Sequence, residues 1–345
     1  MKRKMWVSLA LSALLVTAVG CGDKQEGGST ATGSGGDAEK KSYSIAISQY
    51  VEHPSLDATR EGILAALKDA GISEEDKTLK LDYNNAQNDS TNNHTIAQKL
   101  KDSKADLVVA IATPSAQAVA NEVKEKPVLF AAVTDPLDAK LVSDLQKPGG
   151  NITGASDTNP EATKQLMNFV STHFPNVKKI GLIIDEGEAN AVVMAKTAEE
   201  VLAEHGIELV KASVTNTSEV KQAAESLVGK VDAFYITLDN RVVSGVDTII
   251  QTAQQNKIPF FSSDRDTVEK GAFATVGFKY YDHGYQVGQM AVEILKNGKK
   301  PADMEITKPD KLDLILNVKA AADYGIEVTD AMKQEVKDPD NNIIE

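Results

Sequence analysis

Short runs rich in β-branched and aliphatic residues alternate with helix-periodic stretches along most of the chain, and the series starts twice. Residues 43–47 read as a strand, 56–70 as an amphipathic helix stopped by Gly71, and 79–83 as a second strand. Helix 91–103, strand 106–111, helix 115–123 and strand 128–133 follow. Successive β-α-β units demand a parallel, doubly wound sheet, because each crossover helix must pack back on a sheet face. After Pro148-Gly149-Gly150-Asn151 the series begins again, with helices at 161–174, 191–205, 219–227 and 245–256 and strands at 179–184, 207–211, 233–237 and 259–262. A helix at 281–297, closed by Gly298, belongs to neither series by periodicity alone. The expected fold class is therefore α/β, with two doubly wound parallel-sheet lobes. In such sheets ligands bind beyond the carboxyl ends of the strands, and two facing lobes place both sets of ends on one cleft.

The first forty residues belong to neither series. Lys2, Arg3 and Lys4 precede an apolar stretch over 6–19 that is shorter than the ~20 residues a membrane span needs, so 1–20 reads as a signal peptide. Ala18-Val19-Gly20-Cys21 resembles the lipobox of bacterial lipoproteins, with Ala18 standing where leucine is more usual. Cys21 is the only cysteine, and acylation is its one clear use; an ordinary secretory cleavage would leave it a free thiol. Residues 21–41 have too little apolar content to bury anything and read as a lipid-anchored flexible linker. Losing the three cations of the signal peptide takes the formal charge from −13 to −16, which argues against a nucleic-acid partner. Membrane attachment through the lipid alone is expected.

The segments after predicted strands hold the candidate site. In the first lobe these are Ser48, Gln49, Tyr50 and His53 before Pro54, then Thr113-Pro114-Ser115, then Thr134-Asp135-Pro136. Thr113 and Ser115 at a helix start suit a carboxylate or other anion, or serve as plain N-caps. The second lobe gathers acids and amides: Asp185 to Asn190, then Asp239-Asn240, then Asp264 and Asp266, where a carboxylate could pair with a ligand ammonium or cap a helix. Tyr50 and Tyr280 offer ring faces, whereas Phe130 and Tyr235 lie inside strands and read as packing residues. Catalytic signatures are missing: the chain has no phosphate loop, no Gly-x-Ser-x-Gly elbow and no His-Glu-x-x-His helix. His53, His94, His173, His205 and His283 form no ligand pair, so neither a metal nor a cofactor is expected; only His53, at a strand end, has a site reading beside a structural one. A two-lobed hydrolase would need a converging nucleophile and base that the sequence does not offer, so no enzyme is expected.

Taken in order, the motifs resemble the ABC-transporter substrate-binding lipoproteins of the tryptophan and tyrosine type, with the type I periplasmic-binding-protein fold. The resemblance runs through Ile47-Ser48-Gln49, His53-Pro54-Ser55-Leu56-Asp57, Asn85-Ala86-Gln87, the segment from Ala112 to Gln117, and the segment from Phe130 to Pro136. It continues through Pro148 to Gly154, Glu188-Ala189-Asn190, Asp239-Asn240 and Asn317 to Ala321. It implies a monomeric, extracytoplasmic, lipid-anchored receptor that closes on a small molecule, an aromatic amino acid, and delivers it to an ABC permease. It implies lobes of 42–154 with 278–301 and of 155–277 with 302–345, joined by three crossings that act as a hinge. Thr113, Pro114, Ser115 and Asp135 would face the ligand from one lobe, and Asn190, Asp239, Asn240 and Asp264 from the other. Thr113 and Ser115 would take the carboxylate, Asp239 or Asp264 the ammonium, and Gln49, Tyr50 and Asn190 the walls. Ala191 and Arg241 depart from the family pattern; Arg241 either alters the ligand, faces solvent or pairs with an acidic neighbour. The same fold also serves nucleoside and sugar receptors, and a tethered receptor can double as a surface adhesin.

Overall fold

The computed structural model describes residues 41–309 and 311–345. The expected signal peptide, Cys21 and all but the last residue of the linker lie outside the described residues. From the start of the globule, β1 (Tyr43–Gln49), α1 (Pro54–Asp69), β2 (Leu79–Asn85), α2 (Ser90–Asp102), β3 (Leu107–Ile111), α3 (Thr113–Glu122), β4 (Val128–Val133) and β5 (Ile152–Ser156) follow one another. The chain then runs through α4 (Pro160–His173), β6 (Lys179–Ile184), α5 (Ala189–Glu204), β7 (Glu208–Ser213), α6 (Val220–Leu227) and β8 (Ala233–Ile236). Next come α7 (Asn240–Ser244), α8 (Val246–Asn256), β9 (Phe260–Ser262), α9 (Arg265–Lys270), β10 (Ala274–Gly277) and the long α10 (Tyr280–Asn297). It ends with β11 (Asp313–Asn317), α11 (Val318–Tyr324), α12 (Asp330–Gln334), α13 (Pro339–Asn342) and β12 (Ile343–Ile344). Among the described residues no helix is long and apolar enough to cross a membrane.

The first sheet has the order β2-β1-β3-β4-β5 and is parallel throughout. Its central strand β3, Leu-Val-Val-Ala-Ile, is buried along its whole length, as a strand covered by helices on both faces must be. The unforeseen strand is β5, which pairs with β4 from Val128↔Ile152 onward. Gly154 allows this pairing: a Cβ there would lie 2.1 Å from the Phe130 carbonyl oxygen. The pairing carries the first sheet to Ser156, past the expected boundary at 154. Beyond 301, Met304 and Ile306 are buried in the cores flanking this sheet and Thr307 bridges to Ala155.

The second sheet has the order β12-β11-β10-β9-β8-β6-β7. It is not wholly parallel as expected, because β11 enters antiparallel to β10. A chain that has detoured through α10 returns beside β10 from the opposite end, and the antiparallel register follows. Tyr235 and Phe130 are fully buried, in line with their strand positions. Phe174, Phe261 and Phe273 pack edge to face at 5.3 to 5.9 Å beneath the second sheet.

Helix α10 settles on α1 of the first lobe through glycines. A Cβ on Gly284 would lie 1.9 Å from the Thr59 carbonyl oxygen, one on Gly62 would lie 2.1 Å from that of Tyr281, and one on Gly288 would lie 2.6 Å from that of Ile63. The two backbones are thus in direct contact, and the apolar faces flanking the seam, including Ile63, Leu67, Val287 and Ala291, are fully buried.

Candidate interlobe binding site

In the first sheet β1 lies between β2 and β3, and in the second β6 lies between β7 and β8. These are the points where strand order reverses, and crevices open beyond the carboxyl ends of the strands there. The backbone at these ends is forced. Gln87 and Asn88 after β2, Ala112 after β3 and Ala132 within β4 all have φ between 53° and 81°. Such left-handed non-glycine residues cost roughly 1–3 kcal/mol each and persist only where surrounding structure over-determines them, typically around ligands. At Ala132 the pairing of β4 shifts register, and its N–H donates to His283 Nε2 at 3.0 Å.

Between the lobes lies a narrow cavity of about 20 Å³, room for a single water-sized group. His53, Ser55 and Thr134 line it from the first lobe, Asn190, Asn240 and Asp264 from the second, with Asp157 and Tyr280 at the crossings. Glu188, wholly buried, fixes the two asparagines: it accepts from Asn190 Nδ2 at 2.9 Å, from Asn240 Nδ2 at 2.7 Å and from the Asn240 backbone N–H at 3.1 Å. Asn190 Nδ2 also donates to the Leu238 carbonyl at 2.7 Å, so its Oδ1 is left buried with no partner. His53 Nε2 sits 3.5 Å from Asn240 Oδ1, and its Nδ1 is likewise unpartnered. With Nε2 donating to that amide oxygen, Nδ1 is an acceptor. Asp157 accepts from the hydroxyls of Tyr280 at 3.3 Å and Thr158 at 3.2 Å, and the Thr134 hydroxyl and its own backbone N–H also hold its carboxylate.

The electrostatics are one-sided. No lysine or arginine lines the cavity. Burial pushes Asp157 up to about 6, and it also raises Asp264, Glu188 and, most of all, Asp239. Asp266, beside Asp264, is raised to about 7 by burial and by its neighbour's charge. Burial lowers His53 to about 4, so the ring is neutral at ordinary pH. A cluster of desolvated carboxyl groups without a facing cation favours a ligand that brings one. A second, mostly apolar cavity, also of about 20 Å³, adjoins the first across Asp157 and Leu238, with Leu166, Met194, Val276, Phe278 and Leu312 in its walls.

Of the expected site residues, Asn190, Asn240 and Asp264 come together at this cavity, and His53 and Tyr280 join them. The others do not line it. Gln49 is tied to Asp57, Arg60 and the Val51 carbonyl; Ser115 is spent on Ser48 and Asn93; Thr113 accepts from the Thr134 N–H. Pro114 offers its carbonyl to Asn93, and Asp135 caps its own turn through the Leu137 and Asp138 N–H groups. Asp239 caps α7 through the Val242 N–H and accepts from the Asp185 N–H at 2.6 Å. Tyr50 turns its hydroxyl to Arg241, and Arg241 pairs with Asp185 at 2.8 Å. Asp157 escaped the sequence reading, and Ser55 and Leu238 stood within quoted segments without a role of their own. Asp157-Thr158-Asn159-Pro160 is a strand end followed by a helix start, the same signal as Thr134-Asp135-Pro136, and it could have been found that way.

The lobes touch across the cleft in order of distance from the crossings. Ser55, in the first turn of α1, donates to Asp264 after β9 at 2.9 Å. His53 meets Asn240 after β8, and Arg241 Nη2 reaches the Tyr50 hydroxyl at 3.4 Å. At the outermost strands, Asn88 after β2 donates to Thr217 after β7 at 3.1 Å.

A family model described as "ABC transporter substrate binding protein" matches residues 44–338. A protein from Clostridioides difficile (strain R20291) named tyrosine-binding protein is 39% identical over 317 residues, covering 92% of this chain and 91% of its own. Among solved structures, an ABC domain from Streptococcus pneumonia in complex with L-Trp is 34% identical, with a TM-score of 0.82, covering 88% of this chain and 100% of that one. The ligand-free, open structure of a substrate-binding protein with adhesive properties from Clostridium difficile is 37% identical, covers 88% of this chain and 98% of its own, and has a TM-score of 0.63. Overlap is greater with the tryptophan complex than with the open structure at similar identity, in keeping with the bonds that join the lobes here.

Proposed function

Since the chain belongs to the family of ABC transporter substrate-binding proteins, we propose that it is the receptor for an aromatic amino acid, tyrosine, tryptophan or phenylalanine, which it hands to a membrane permease. It works by binding alone, without turnover, outside the cytoplasmic membrane and tethered through Cys21. The observation that carries the ligand class is the cavity's surplus of acceptors: Asn190 Oδ1, His53 Nδ1 and the Asp157 carboxylate meet around one space with no cation among the lining residues. An ammonium has three N–H donors and one positive charge, and it matches that set. The first turn of α1, which no side chain caps, offers backbone N–H groups for the ligand carboxylate in place of α3. The apolar side chains beyond Leu238, Leu166, Met194 and Phe278 among them, would wall the ring once the cleft opens to make room for it.

Calorimetry at pH 7.5 with a ligand panel tests this reading. Heat is expected with L-tyrosine, L-tryptophan or L-phenylalanine, and none with glucose or uridine; binding of an uncharged ligand and no aromatic amino acid would overturn the reading. The pH dependence has a definite sign. Ammonium binding favours ionised Asp157, whose pKa in the protein is raised to about 6, so each binding event releases a proton below that pH. Affinity is expected to be level from pH 7 to 8. Below about pH 6 it should fall, by up to about tenfold per pH unit.

A further inference from the structure

Arg241 departs from the family pattern and does not line the cavity, yet its guanidinium bridges the lobes. Within the second lobe the guanidinium is ion-paired with Asp185, whose carboxylate lies 2.8 Å from Nε without hydrogen-bond geometry, and Nη1 donates to the Thr215 carbonyl. The third nitrogen, Nη2, reaches across to the Tyr50 hydroxyl of the first lobe. Both ion-pair side chains are largely shielded from solvent, at 16% and 11% exposure, and Tyr50 is buried. Every anchor of the guanidinium except Tyr50 comes from its own lobe, so Arg241 keeps its orientation when the cleft opens and loses little freedom when it closes. Tyr50 follows β1 and Arg241 follows β8, with Asn88 and Thr217 beyond them on the outermost strands. Contacts on that side, away from the crossings, have the longest lever arm and separate completely on a small hinge rotation.

We propose that Arg241 and Tyr50 form a latch that sets how long the cleft stays shut, so that Arg241 acts as a positioning residue governing ligand residence without touching the ligand. The test is a double-mutant cycle of Arg241→Ala and Tyr50→Phe in the full chain, read by stopped-flow release of L-tyrosine. Each single change is expected to speed release about fivefold, with the association rate altered less than about twofold. The double variant should release no faster than either single one. A second readout needs no ligand: in the unliganded protein, amide exchange over 50–56 and 262–267 should quicken in both variants, because the Ser55 to Asp264 contact opens more often. Unchanged release and exchange in Tyr50→Phe, or effects that add in the double variant, would overturn the latch. If the unmodified chain bound no tyrosine, the ligand reading would fail, and the exchange arm would still decide the latch.

Discussion

Replacing Asp157 by asparagine is expected to weaken L-tyrosine binding about a hundredfold or more while leaving the fold intact. Removing one partner of a buried, hydrogen-bonded charge pair typically costs about 3–5 kcal/mol, and each 1.4 kcal/mol is roughly a factor of ten. In the unliganded protein the same change is mild. Asp157 pairs with no cation there, only with the hydroxyls of Tyr280, Thr158 and Thr134 and its own N–H, and its raised pKa records that ionisation is disfavoured at that site. Neutralising it should therefore leave the urea midpoint without ligand nearly unchanged or slightly higher. Calorimetry and urea unfolding on one preparation separate the two effects. Asp157→Asn with undiminished affinity would remove this carboxylate from the ammonium site and return attention to Asp264, whose oxygens are already occupied by Ser55, Thr267 and the Asp266 N–H. The wild-type loss of affinity below about pH 6 should disappear in the same variant.

Gly284→Val is expected to destabilise the protein by roughly 3 kcal/mol or more, or to prevent its accumulation. Overpacking a core costs about 1–3 kcal/mol when side chains can shift. At this position the obstacle is the Thr59 carbonyl oxygen, 1.9 Å from where Cβ would stand, so one helix must move off the other. That displacement exposes the buried face made by Ile63, Leu67, Val287 and Ala291. Gly150 gives the contrast, because a Cβ there meets nothing within 4 Å and its backbone is ordinary. Gly150→Ala should leave the urea midpoint within about 0.5 kcal/mol of the unmodified chain. Equal midpoints for Gly284→Val and the unmodified chain would mean that α1 and α10 do not meet by their backbones.

Periodicity exposed most of the strands and helices because β-α alternation leaves a repeating apolar pattern. It missed β5, whose five residues Ile-Thr-Gly-Ala-Ser carry a glycine where strands usually carry bulk, and it missed β10, four residues behind the short helix α9, and β11, which returns antiparallel after α10. At the site, the sequence brought out Asn190, Asn240 and Asp264 because polar residues at strand ends are visible in one dimension. Which of them face a common space depends on how two lobes approach, and that is not written in any local pattern. Thr113 and Ser115 sit at a helix start as expected, but their hydroxyls are consumed within the first lobe. Asp239 is likewise a cap rather than a binding group. Arg241 was open to ligand, solvent or an acidic neighbour, and it pairs with Asp185.

The weaving of each lobe from distant stretches bears on how the molecule comes into being. During synthesis, residues 43–156 can assemble a sheet, but the apolar face of α1 has nothing to cover it until α10 has been made. The second sheet waits longer still, because β11 and β12 are among the last elements to leave the ribosome. Neither half can be excised as a contiguous fragment without exposing a seam, and a chain truncated after Gly277 would present two incomplete cores at once, a natural target for chaperones and proteases.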